Sequence, residues 1–171
     1  MESADIKELY SAVVNSSEYA DKKDRIDYLA HFFAMLDNKL DRIGNWQLGF
    51  YNKKEDVIIV FELMQDGTIN VSESKPLKKE EHVVGELKIE ELELNFDEAL
   101  KKQIKFQKEK YPGNMTVKMV VLLQELEKSP VWNLTVVTST YNTLNVKIHA
   151  KTGEIIDHSL DSLLSWGEQL K

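Results

Sequence analysis

The apolar positions change period along the chain. Ile6, Leu9, Tyr10, Val13 and Val14 recur at helical spacing, with Ser3 as the candidate N-cap. The polar run "NSSEYADKKD" interrupts them. From Asp24 to Ile43, a wide stripe of Ile26, Leu29, Phe32, Phe33, Leu36, Leu40 and Ile43 predicts a longer amphipathic helix, stopped by Gly44. The period then shortens to two. Trp46, Leu48 and Phe50 alternate with Gln47, Gly49 and Tyr51, "DVIIVFELM" is rich in β-branched residues, and "GTINVSE" alternates again. Asn52 to Asp56 and Gln65 to Gly67 are the expected turns, the second with an Asp-Gly hairpin signal. After a lysine-rich loop at 75–81, "EHVVGELKI" is a candidate fourth strand of an antiparallel meander.

A second cycle follows. Asn95 caps "NFDEALKKQIKFQKEKYPG", which has acids in its first turn, lysines toward its end and a Tyr111-Pro112-Gly113 stop, as a helix requires. Residues 115–128 fit both periods: Met115, Met119, Leu122, Leu123 and Leu126 for a helix, or Met115, Val117, Met119, Val121 and Leu123 for a strand. Their length and the tail "LLQELEKS" favour the helix. "VWNLTVVTSTYNTLNVKIHAKTGEII", residues 131–156, predicts two strands closed by a Thr152-Gly153-Glu154 turn. "SLDSLLSWGEQLK" predicts a terminal helix capped by Asp157 or Ser159.

The two cycles share landmarks at a constant spacing of 86 residues: Trp46 and Trp132, Leu48 and Leu134, Val60 and Val146, Gly67 and Gly153, Ile69 and Ile155. A fixed period with repeated landmarks is the mark of a duplicated supersecondary unit. The expected fold class is α+β, with helices packed on an antiparallel sheet and a helix-helix-strand-strand-strand unit repeated. The halves are placed at 1–90 and 91–171, with Trp46 and Trp132 as core anchors.

The helix at 95–113 followed by Trp132 and "VKIHAKTGEII" resembles the PepSY family over residues 94–157. The acidic-Ala step is Asp97-Glu98-Ala99, and the closing pattern runs from Val146 to Ile156 through Thr152-Gly153-Glu154. His149 stands where that family usually has Asp, and Gln65-Asp66-Gly67-Thr68 stands at the equivalent turn of the first half. The resemblance implies a small α+β interaction domain, often in tandem, that modulates a partner such as a peptidase.

Composition narrows the function. The net charge of −7 argues against nucleic acid, whose phosphates need a basic surface. Cysteine is absent, which excludes disulfides, thiolate chemistry and Cys-based zinc sites. No secretory leader and no apolar run near the roughly 20 residues of a membrane helix is visible, so the expectation is a soluble, cytoplasmic protein without a membrane span.

Candidate chemistry is sparse. His31, His82, His149 and His158 have no close metal-ligand spacing, although His149 and His158 flank the Thr-Gly-Glu turn. "DHSLD" at 157–161 holds Asp, His and Ser together, but triad members meet through the fold and capping explains Asp157 and Ser159 better. Glu90, Glu91 and Glu93 read as a solvated linker, and no phosphate-cradling glycine loop is present. No catalytic, metal or cofactor-binding residue is assigned, and no cofactor is expected. The expectation is a non-enzymatic module that binds a protein or peptide, with Tyr51, Tyr141 and Trp166 as candidate interaction aromatics. Two alternatives stay open: a small acidic dimeric regulator like a secretion chaperone, and a ligand binder or enzyme with a pocket between helices and sheet.

Overall fold

The structure is a computed structural model that describes residues 4–76, 78 and 82–165. Helix α1 (Ile6–Val14) is capped by Asp5, whose carboxylate accepts the Lys7 and Glu8 amides. Ser3, the expected cap, lies outside the described residues. A short α2 (Ser17–Lys22) and a 3-10 turn at Lys23–Arg25 lead into four strands: β1 (Tyr28–Leu36), β2 (Arg42–Asn52), β3 (Val57–Leu63) and β4 (Ile69–Ser74). A second 3-10 turn at Ile89–Glu91 precedes α3 (Phe96–Lys110). Four more strands follow: β5 (Thr116–Leu126), β6 (Ser129–Thr138), β7 (Asn142–His149) and β8 (Ile155–Ser162). Helix α3 begins with a reciprocal capping box between Asn95 and Glu98, as its sequence requires.

The eight strands form one continuous antiparallel sheet in the order β4-β3-β2-β1-β5-β6-β7-β8. Each group of four is a meander, and the two meanders join where β1 pairs with β5, from His31 opposite Gln124 to Leu36 opposite Met119. This overturns the expected repeat of helices packed on a sheet in helix-helix-strand-strand-strand units. The expected helix at 24–43 is β1, a turn and the start of β2, and the expected helix at 115–128 is β5. The second meander is preceded by a single long helix, and the helices stand outside an eight-stranded sheet. "EHVVGELKI" is not a strand, and residues 159–162 of the expected terminal helix belong to β8. Asp157 and Ser159 therefore sit in a strand and cap nothing.

The physical reason lies in the position of β1 and β5. They are the two central strands, and both carry apolar residues on both faces. Phe32, Ala34, Leu36, Met119, Val121 and Leu123 point into the main core. Phe33, Met35, Val120 and Leu122, the alternate residues, point to the other side. Two-sided burial erases the period of two and leaves a nearly continuous apolar run that also fits a helix.

One face of the sheet is covered. Ile6 and Val13 of α1 and Phe96, Ala99 and Leu100 of α3 join Trp46, Leu48, Phe50, Ile59, Phe61 and the inward residues of β5 to β7 in a single core. Phe96 touches both expected anchors, Trp46 edge-on at 5.3 Å and Trp132 at 5.8 Å between ring centroids. Trp132 is fully buried, and its indole N–H donates to the Leu94 carbonyl at 3.0 Å. That bond ties the entry to α3 onto β6. Gly67 and Gly153 each adopt positive φ before β4 and β8, so the turns that start the two edge strands depend on them.

Replacing Trp132 by Ala removes the largest fully buried side chain and the Leu94 hydrogen bond together. A loss of about 3–5 kcal/mol in unfolding free energy is expected, measured by urea denaturation.

Candidate functional site

The other face of the sheet is largely open. At the β1–β5 seam, Phe33 lies opposite Leu122 and Met35 opposite Val120, which gives a compact apolar square of half-buried side chains. Toward β6 and β7 the face turns polar. Asn145 donates to Asn133 at 2.6 Å and to Thr135 at 2.9 Å, a ladder of amides and hydroxyls across neighbouring strands.

A strap bounds this face on one side. After β4 the chain returns toward α3, and Val84 packs with Ala30, Tyr51, Ile58 and Val60 in a small second core. The Tyr28 hydroxyl donates to the Val84 carbonyl, and the Leu87 amide donates to the Leu29 carbonyl at 2.9 Å. Tyr51 donates to Asp56 at 2.6 Å, Lys78 pairs with the same carboxylate at 2.9 Å, and the Lys78 ammonium stands 5.8 Å from the Tyr51 ring centroid. These contacts pin the strap from both ends.

Between the strap and the β5–β6 hairpin lies a groove of about 970 Å³. Its floor is built from Ala30, His31, Ile58, Leu122, Gln124 and Asn133, its near wall from residues 82–85, and its far wall from residues 125–128. Apolar floor, convergent amides and two imidazoles, His31 on the floor and His82 on the wall, are materials of a recognition groove. Lys147 and Asp157 close it at the β7–β8 end and pair with each other at 3.0 Å.

His31 is the unusual residue of the floor. Directly opposite it on β2 stands Gly49, and the imidazole lies over that glycine. A methyl group at 49 would sit 2.7 Å from His31 Nε2 and closer still to Cε1, so the ring holds this position only over Gly. The side chain keeps a rim of exposure, yet burial of the ring holds its pKa down to about 4. No protein hydrogen bond to the ring exists among the described residues. His31 thus presents a neutral imidazole, donor on one nitrogen and acceptor on the other, to whatever enters the groove.

The residues singled out in the sequence are dispersed. Tyr51, an expected surface aromatic, is 5% exposed and serves the second core instead. Tyr141 is 69% exposed on the β6–β7 turn and does not line the groove. Trp166 lies outside the described residues. The two histidines around the Thr-Gly-Glu turn take separate partners: His149 Nδ1 accepts the Lys151 and Thr152 amides, and His158 Nδ1 bonds the Tyr111 hydroxyl at 2.5 Å. "DHSLD" is strand, so Asp157 and Ser159 face one side and His158 the other, and no relay forms. Among the described residues no group of three or more His, Asp or Glu is placed to hold a metal ion. No helix among them is long and apolar enough to cross a membrane.

Sequence reasoning missed His31, Gly49, Leu122 and the strap as one site. The single available signal was Gly49, an isolated glycine in an alternating strand, which marks a close approach.

No family model matches the chain, and no curated protein matches it. Among solved structures, the crystal structure of a putative lipoprotein from Clostridium difficile 630 is similar, with a TM-score of 0.56 and 10% sequence identity over 89% of this chain and 92% of that one. At that identity the similarity concerns the fold.

Gly49→Ala is expected to destabilise by about 1–3 kcal/mol through the clash with His31. His31→Ala in the same molecule is expected to relieve most of that loss, and a double-mutant cycle of melting free energies reads the coupling. The depressed imidazole pKa also sets a pH dependence. Between the ordinary value of 6.5 and about 4, the unfolded chain binds a proton that the folded chain refuses. The contribution of His31 to stability is full above pH 6.5 and is lost as pH falls to about 4. Urea midpoints across this window should fall less steeply in His31→Gln than in the native sequence.

Proposed function

We propose that this protein is a non-enzymatic binding module of PepSY-like type that receives a protein or peptide segment on the open face of its sheet. The observation that carries this is the asymmetry of the sheet. One face is sealed by α1 and α3, whereas the other leaves Phe33, Met35, Val120 and Leu122 together at its centre beside a large groove. An apolar centre ringed by amides and hydroxyls has the anatomy of an interaction surface.

The resemblance of residues 94–157 to the PepSY pattern supports the same class of function. Against a reaction site stands the composition of the groove: its two imidazoles, His31 on the floor and His82 on the wall, have no protein hydrogen-bond partner among the described residues to orient them. A setting outside the cytoplasm has one support, the lipoprotein description of the Clostridium difficile protein.

Selection of random dodecapeptides by mRNA display on the immobilised full chain tests the proposal. Enrichment of a peptide whose affinity falls at least tenfold in Leu122→Lys, with the melting curve of the variant intact, is the expected result. No enrichment, or binding indifferent to that substitution, removes the open face as the site.

A further inference from the structure

Four of the five most exposed large hydrophobic side chains among the described residues gather at one end of the sheet. Met115 is 71% exposed, Val117 49%, Tyr141 69% and Leu164 73%. They come from the entry to β5, the β6–β7 turn and the chain just after β8, and backbone hydrogen bonds join these segments. The Ser139 amide donates to the Met115 carbonyl at 2.8 Å, and the Leu163 amide donates to the Tyr141 carbonyl at 2.9 Å. Single exposed apolar residues are ordinary on a surface, whereas a cluster of them marks a contact site.

Polar side chains brace this end from behind. The Asn114 carboxamide oxygen accepts the Thr140 hydroxyl at 2.6 Å and the Asn142 carboxamide at 3.2 Å, which ties the loop after α3 to the β6–β7 turn. Gln107 of α3 donates to the Asn114 carbonyl and to the Thr116 hydroxyl, the latter at 3.2 Å. Thr138 Oγ1 accepts the Asn142 backbone amide at 3.1 Å. Met115, Val117 and Tyr141 therefore stand on a fixed support. Tyr141 also carries a backbone cost. Its φ of 58° lies in the left-handed region, where glycine fits better than a bulky ring. The turn alone favours glycine at 141, so the turn does not account for the phenol.

The surrounding charges indicate the partner. Lys108, Lys110 and Lys118 have no ion pair among the described residues, and Lys105 pairs with Glu109 at 4.0 Å. Asp161 lies near the end of β8, and Lys39, Asp37 and Asp41 lie on the β1–β2 turn, next to the start of β5. Both signs are present in near balance, which matches the paired phosphate and ammonium of a zwitterionic headgroup. A tyrosine and long lysine stems, apolar in body and polar at the tip, are the side chains that a bilayer interface accommodates.

We propose that this end of the protein rests on a lipid bilayer. Met115, Val117, Tyr141 and Leu164 enter the interface, and Lys108, Lys110 and Lys118 lie at headgroup level. The contact is peripheral and independent of the open-face function. It leaves the groove uncovered, since none of the four apolar residues lines it.

The chain has no cysteine, so Met115→Cys takes a single environment-sensitive dye. Phosphatidylcholine vesicles should raise and blue-shift the emission of the labelled full chain, while the same dye on Ser72→Cys, at an exposed position of β4, should not respond. Tyr141→Gly removes the ring and relieves the left-handed backbone. It should keep or raise the melting temperature and lower vesicle partitioning, read by co-sedimentation, at least fivefold. Leu122→Lys should leave partitioning unchanged. Absence of co-sedimentation at millimolar lipid overturns the proposal. So does binding that requires phosphatidylglycerol, disappears at high salt and ignores Tyr141→Gly, because lysine attraction then replaces insertion. If the free chain dimerises and Tyr141→Gly makes it monomeric, this end is a contact between copies and the proposal falls. If vesicles do not bind but a selected dodecapeptide loses affinity in Tyr141→Gly, the partner is a protein and the proposal likewise falls.

Discussion

Strands β1 and β5 meet in register from His31 opposite Gln124 to Leu36 opposite Met119, and without that seam the chain would hold two separate meanders. The pairing joins residues about 80 to 95 positions apart, so it closes a long loop before any of its hydrogen bonds form. What offsets that cost is burial on both sides of the seam. Phe32, Leu36, Met119 and Leu123 enter the main core, while Phe33 and Leu122 cover one another on the open face. Hairpins on either side are local by comparison. The order of assembly that this topology favours is two meanders first and their union last.

The seam also explains which elements the amino-acid pattern revealed. Helix α3 was legible because its ends carry chemistry that has no other use: Asn95 and Glu98 at the start, Lys108 and Lys110 near the close, Pro112-Gly113 beyond. Strands β4 and β7 were legible because their alternation survives, and β3, buried on both faces, was legible by its β-branched run Val57-Ile58-Ile59-Val60 between turn signals. The central strands were not, since two-sided apolar surface satisfies both periods. A second cause acted on β5. Its hairpin to β6 turns on Glu127 and Lys128, both at positive φ, where Asn-Gly would be the expected signal. With no glycine to mark the turn, Gln124 to Ser129 read as the polar tail of a helix. Strand β8 misled for the opposite reason: an edge strand has few apolar positions, and Leu160, Leu163 and Leu164 happen to share a helical spacing.

The groove could not be read along the chain, because its parts are brought together only by the seam. Ala30 and His31 come from β1, Leu122 and Gln124 from β5, Asn133 from β6, and the wall from a segment that looked like a strand and is not one. Anchoring explains why that segment stays out of the sheet. Val84 is held by its side chain and carbonyl and Leu87 by its amide, and the segment pairs with no strand. The same anchoring lets an irregular stretch act as a rigid wall.

The imidazole lying over Gly49 has an evolutionary consequence. A side chain at position 49 costs stability while position 31 keeps its ring, whereas position 31 can shrink while 49 stays glycine. Drift through this pair therefore has a favoured direction. Changes to the groove floor that begin with a small residue at 31 avoid the cost that a first change at 49 would carry.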